Sequence, residues 1–146
     1  MKSRELANFV ASHADAVVAE LSVVRGSSPR DEGAFMLIAA EAMVGTIGGG
    51  ALEYMVIGRA RQALRDGEAP VGLDIPLGPE IGQCCGGRVE VSLRRIDAGM
   101  AQRLVARLEA EEAKRPHVYL FGSGHVGKAL AQALVALPLR VYVIDT

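Results

Sequence analysis

Two cysteines stand side by side at Cys84 and Cys85, and the chain has no others. The stretch GPEIGQCCGG, residues 78–87, surrounds them with glycines and sets Gln83 directly before them. Thiols in so bare a setting suit three arrangements: a disulfide, a metal or sulfur site, or a loop that presents a thiol to a ligand. Adjacent cysteines bridge only through a strained peptide geometry, which makes a structural disulfide the weakest of the three. Two cysteines do not complete a structural zinc site, and His13, His117 and His125 lie at no familiar ligand spacing from them. A thiolate is a soft donor, suited to sulfur chemistry or to a soft metal such as molybdenum in a sulfur-rich cofactor. No lysine or histidine adjoins the pair, so activation of either thiol must come from the fold. The plain alternative is a pair of small buried hydrophobes.

Three further motifs carry chemistry. RGSSPRDEG places Ser27, Ser28 and Arg30 on one loop, where hydroxyls and a guanidinium fork suit phosphate or the carbonyl groups of a planar heterocycle. GTIGGGALE leaves the amides of Gly48, Gly49 and Gly50 uncovered ahead of a helix and predicts an anion cradle or a tight turn. No Lys–Ser or Lys–Thr pair follows, so it is not a Walker loop. Gly122, Gly124 and Gly127 spell G-x-G-x-x-G between a strand and a helix, with Asp145 at the end of the next strand. This is the pattern of a dinucleotide site: a tight turn, a close approach of pyrophosphate, close helix–strand packing, and an acid for the ribose diol. Asp145 would repel a 2′-phosphate, which favours NAD over NADP. The same pattern also serves as a fold element with no nucleotide.

The elements that must position these residues follow from periodicity. Leu6, Phe9, Val10 and His13 share one face of a first helix, with Ser3 as its expected N-cap and its end near Asp15. AVVAELSVVR, AFMLIAA and AMVGTI read as strands. ALEYMVIGRARQALRDG reads as a helix with Leu52, Met55, Val56, Arg59 and Ala63 at spacings of three and four, and Gly67 as its C-cap. The stretch holding Pro70, Pro76 and Pro79 is expected to be loop. In RVEVSLRRI, Val89, Val91 and Leu93 alternate with polar residues, as in a half-buried strand. A helix with Met100, Leu104 and Leu108 inside ends at Pro116, and HVYLFGSGHVGKALAQALVALPLRVYVIDT reads as a βαβ unit.

The fold class expected is α/β. A small mixed α+β domain, residues 1–115, precedes the first βαβ unit of a Rossmann-like domain, residues 116–146. One βαβ unit cannot cover both faces of a parallel sheet. The second part is therefore expected to be truncated or completed by another chain, with exposed apolar surface favouring a homo-oligomer.

Half of the 146 residues are hydrophobic and the net charge is −1, so a folded domain is expected and nucleic acid is not the expected partner. The N-terminus lacks the apolar core of a signal peptide, and no apolar run approaches the ~20 residues of a membrane helix. The expected setting is the cytoplasm, with no membrane partner and with thiols kept mostly reduced.

Taken in order, RGSSPRDEGAFML, GTIGGGALE, GQCCGGRVEV and FGSGHVGKAL resemble the XdhC/CoxI family of accessory proteins for molybdenum hydroxylases. The likeness runs from about Val17 to Thr146. It implies an N-terminal cofactor-associated domain followed by a Rossmann domain. It implies a chaperone, not a turnover enzyme: a protein that binds the molybdenum cofactor (molybdopterin-bound molybdenum), assists its sulfuration with a cysteine desulfurase, and delivers it to the large subunit of apo xanthine dehydrogenase. The family's CCGG stretch falls on Cys84, Cys85, Gly86 and Gly87, and the doubled cysteine is similar to the xanthine dehydrogenase branch. On this resemblance Arg30, Ser27 and Ser28, with the amides of Gly48, Gly49 and Gly50, are expected to hold the pterin. Gln83 and Gly86 would line the loop, and Cys85, with Cys84 beside it, would approach the metal. A competing expectation is a fragment of an NAD-dependent oxidoreductase that uses Gly122, Gly124, Gly127 and Asp145. A third is an interaction module with no ligand.

Overall fold

Helix α1 (Ser3–Ser12) is followed by strands β1 (Val17–Arg25), β2 (Phe35–Ile38) and β3 (Met43–Gly45). Helix α2 (Gly50–Asp66), strand β4 (Leu73–Pro76), a 3-10 turn (Pro79–Ile81) and strand β5 (Arg88–Arg95) come next. Helix α3 (Ala98–Ala113) leads into β6 (His117–Phe121), α4 (His125–Leu134) and β7 (Arg140–Ile144). The structure is a computed structural model and describes residues 1–82 and 86–145. Among the described residues no helix is long and apolar enough to cross a membrane.

The first five strands form one antiparallel sheet in the order β3-β2-β1-β5-β4. Successive side chains of a strand point to opposite faces, and each face here has its own apolar cover. Val17, Ala19, Leu21, Met36, Ile38, Val89 and Val91 meet Leu52, Val56 and Ala60 of α2. Val18, Phe35 and Leu37 meet Leu6 and Phe9 of α1 and Leu104 and Leu108 of α3. Strand β2 is dry on both sides, which is why FMLI is buried at every position. Strand β5 buries Val89, Val91 and Leu93 and keeps the alternation seen in its sequence. Burial of each large aliphatic residue contributes about 1.5–3 kcal/mol.

Some local expectations need correction. Ser3 is not the N-cap of α1; Lys2 is, and its N–H donates to the Glu5 carboxylate at 2.7 Å. Ser3 instead donates from its N–H and hydroxyl to Glu112 at 2.8 and 3.0 Å, tying α1 to α3. Helix α1 ends at Ser12, not at Asp15. The buried stripe of α2 is Leu52, Val56, Ala60 and Ala63, whereas Met55 and Arg59 are exposed. The proline-rich stretch before the cysteines contains β4, an edge strand that tolerates Pro76 because it needs hydrogen bonds on one side only. Gly67 caps α2 in the left-handed region as expected, its N–H donating to the Ala63 carbonyl.

Strands β6 and β7 pair in parallel from His117 beside Arg140 to Phe121 beside Ile144, with α4 as the crossover. The molecule is thus a mixed α+β domain followed by a βαβ unit. None of residues 117–145 is buried.

Candidate functional site

Strand β1 and strand β2 are joined by the loop of residues 26–34, which carries Ser27, Ser28, Pro29 and Arg30. Gly26 and Gly33 bracket it with φ of 73° and 83°, values that suit glycine. The Ser28 Oγ is buried and has no hydrogen-bond partner among the described residues. Leaving a buried hydroxyl unpaired costs about 1–3 kcal/mol. Such an atom calls for a partner that the described residues do not supply. The Arg30 side chain is exposed and makes no ion pair among the described residues.

Gln83, Cys84 and Cys85 lie outside the described residues, but the chain on either side of them is fixed. The Leu77 N–H donates to the Gly87 carbonyl and the Gly86 N–H to the Leu77 carbonyl, both at 2.8 Å. This pair of bonds pins Leu77 against Gly86 and Gly87. Gly87 is buried, and a Cβ there would run into the Ser27 carbonyl and stand 2.8 Å from that of Arg25. A Cβ on Gly26 would in turn stand 3.3 Å from the Gly87 Cα. The exit of the cysteine loop and the serine loop therefore touch backbone to backbone.

The glycine run meets the serine loop from another side. A Cβ on Gly48 would come within 2.5 Å of Pro29 Cγ and 3.8 Å of Arg30 Cγ. Its amides do not form the open cradle expected. Glu53 Oε1 accepts from the Thr46 hydroxyl at 2.5 Å, from Ile47 N–H at 3.0 Å and from Gly49 N–H at 2.9 Å. Gly48 N–H donates to Thr46 Oγ1 at 3.1 Å. Burial pushes the Glu53 carboxyl up, but the Thr46 hydroxyl and the loop amides outweigh it and hold the group below its ordinary 4.5. The anion in this turn is the chain's own carboxylate, so Gly48 and Gly49 shape the turn and their amides are taken.

Beside these loops opens a cleft of about 560 Å³. Pro29 and Arg30 line it from the serine loop, Gly45 and Thr46 from β3 and its turn, and Arg107, Glu111 and Arg115 from α3 and its end. The sequence motifs do not include the α3 contribution. Nothing in the spacing of Arg107 from Arg30 shows that they share a wall.

The second glycine motif stands apart on the βαβ unit. Gly122 has φ of 99°, which makes the tight turn. Gly124 is the N-cap of α4, with open space where a Cβ would be. Gly127 packs so closely that a Cβ would strike the Gly122 carbonyl. Asp145 follows β7, and its carboxylate accepts from the Ser123 hydroxyl. A cleft of about 570 Å³ borders this turn, lined by Tyr119, Phe121, His125, Val126 and Leu130 among others.

Residues 9–73 match the XdhC and CoxI family, over the segment that holds Ser27, Ser28, Arg30 and the glycine run. Over that segment the chain is similar to the XdhC and CoxI family. It is also similar to the uncharacterized protein YqeB of Escherichia coli (strain K12), 30% identical over 136 residues, which cover 88% of this chain and 21% of that protein. The chain spans about a fifth of the length of that curated relative. In fold it is similar to a protein described as a xanthine dehydrogenase from Bacillus halodurans, with a TM-score of 0.77 and 20% identity. That likeness covers 98% of this chain and 62% of the other. Within the XdhC and CoxI match, the serine loop and the glycine run are neighbours in space. Gly86, Gly122, Gly124, Gly127 and Asp145 fall outside the matched segment.

Proposed function

We propose that this chain is an accessory protein of xanthine dehydrogenase maturation that binds the molybdenum cofactor, supports its sulfuration and hands it to the enzyme. It acts as a chaperone and not as a catalyst. The match of residues 9–73 to the XdhC and CoxI family supports the maturation role. The observation that supports cofactor binding is the buried Ser28 Oγ, without a partner among the described residues, on a loop wedged between the glycine run and Gly87 at the exit of the cysteine stretch.

The residues fit a flat, polar, anionic guest. Ser28 supplies a hydroxyl already removed from water, so pairing it on binding recovers the cost of its burial. Ser27 offers a second hydroxyl, and Arg30 a charged fork suited to phosphate or carbonyl oxygens. Gly86 and Gly87 keep side chains out of the junction. Cys84 and Cys85, which follow Gln83 on the same loop, are the soft donors proposed to face the metal, Cys85 first. When bound, the cofactor supplies the molybdenum centre that the receiving enzyme needs. The large subunit of xanthine dehydrogenase and a cysteine desulfurase are the proposed partners.

The test is anaerobic incubation with molybdenum cofactor, gel filtration, and molybdenum determination by mass spectrometry. Wild type should retain the metal, Ser28→Ala and Arg30→Ala should bind about tenfold more weakly, and the Cys84→Ala, Cys85→Ala double variant should lose it. Retention unchanged in all three variants would remove this site from the mechanism.

A second reading rests on the open backbone at Gly124 and the close packing at Gly127. It gives the βαβ unit a nicotinamide dinucleotide, NAD, with Asp145 at the ribose. NADH titration followed by fluorescence, with Asp145→Ala as control, separates the two. Tight binding that depends on Asp145 favours the oxidoreductase alternative.

A further inference from the structure

Arg107, half-buried on α3, makes four contacts with one guanidinium, three of them to other elements. Its Nη1 donates to Glu20 Oε1 of β1 at 2.9 Å. Its Nη2 donates to the Gly33 carbonyl in the serine loop. Its Nε lies 3.5 Å from Glu111 Oε1, and its Cζ lies 4.9 Å from the centroid of the Phe35 ring in β2. Glu20 is itself held from the far side by Arg94 of β5 at 3.1 Å. Gly33 is held from the other direction as well, its N–H donating to the Leu21 carbonyl at 2.8 Å. The loop that presents Ser28 and Arg30 thus has its return leg clamped between β1 and an arginine 74 residues away in sequence.

From this arrangement we infer that Arg107 is the positioning residue of the ligand loop. It fixes the Gly33 turn, and through it the placement of Arg30 along the cleft that the two arginines share. The functional half of the inference rests on the cofactor-binding reading above; the mechanical half does not. Partly exposed ion pairs of this kind contribute little to global stability, so stability alone does not account for four contacts converging on one side chain. A lysine carries the charge but has a single nitrogen on a flexible stem. It cannot hold Glu20 and the Gly33 carbonyl together while stacking on Phe35.

The experiment compares wild type, Arg107→Lys, Arg107→Leu and Arg30→Ala by amide hydrogen exchange and by molybdenum cofactor affinity. In Arg107→Lys, protection at Gly33 and Ala34 should fall about tenfold, while amides of β1 and β5 keep theirs, and cofactor affinity should fall by a similar factor. Arg30→Ala should lose affinity and keep the protection. Unchanged protection at Gly33 and Ala34 overturns the inference. So does a uniform loss across the sheet, which would make Arg107 an ordinary stabilising residue. Lost protection with full affinity overturns the functional half. If wild type binds no cofactor, the cofactor reading falls, and exchange at Gly33 and Ala34 alone decides whether Arg107 holds the loop. Arg107→Leu repeats the test without charge, and agreement between the two variants assigns the effect to the fork.

Discussion

The turn ahead of α2 and the turn ahead of α4 both use glycines to enter a helix, yet they end in opposite states. Ahead of α2, Gly49 is the N-cap, and Glu53, four residues on, reaches back to the amides of Ile47 and Gly49. Ahead of α4, Gly124 is the N-cap, and the residue four places on is Lys128. An ammonium has no lone pair to offer an amide, so this second turn has no acid to fill it from that position. The surroundings differ in the same sense. Helix α2 lies on a fully buried sheet face, with Leu52 and Val56 at 0% exposure, whereas α4 buries no residue. A run of glycines before a helix is therefore not by itself an anion site; the side chain one turn into the helix decides whether the amides are left for a ligand.

This contrast can be broken by experiment. The largest effect is expected from Leu52→Ala, which should cost about 2–5 kcal/mol in urea unfolding. Leu130→Ala on α4, where the side chain is already 45% exposed, should cost under about 1 kcal/mol. Equal losses would mean that the two helices are equally buried in solution.

Next comes Gly48→Ala. Its φ of 134° and the approach of Pro29 make any Cβ strained, and about 1–3 kcal/mol should be lost. Gly124→Ala, with φ of −64° and open space, should stay within about 0.5 kcal/mol.

A pH titration sharpens the role of Glu53. Its carboxyl is held below the ordinary 4.5 in the folded chain. Its contribution is therefore fully present above pH 4.5 and is lost as pH falls through the lower folded value. Glu53→Gln should flatten that part of the stability profile, and an unchanged profile would remove the carboxylate from the turn. The smallest effect is expected from Lys128→Glu, where an acid placed near the α4 N-terminus should gain about 0.3–1 kcal/mol. Thermal melts at low salt would show it, and a loss of stability would contradict the comparison.

Most of the fold was legible because periodicity and capping are local. The alternation in β5, the Gly67 cap and the parallel βαβ unit needed only neighbours in sequence. Strand β4 was hidden because Pro76 reads as a breaker, and only its place at the sheet edge excuses it. Ser3 looked like a cap because its hydroxyl's real acceptor, Glu112, lies 109 residues away. The candidate site was legible in part for the same reason. Ser27, Ser28 and Arg30 could be named from residue type. The α3 wall of the cleft and the filling of the glycine run by Glu53 depend on contacts that spacing alone does not encode. The Glu53 contact was the closer of the two to being readable, since an acid four residues past the glycine that caps a helix is within reach of its amides.

Where Gly87 meets Ser27 and Arg25, main chain lies on main chain and no side chain stands between. The distance from the hydroxyl-bearing arm to the foot of the thiol-bearing arm is thus set by atoms common to every amino acid. Substitution can exchange what either arm displays while the gap across the junction keeps its width. Only the two glycines themselves lack that freedom.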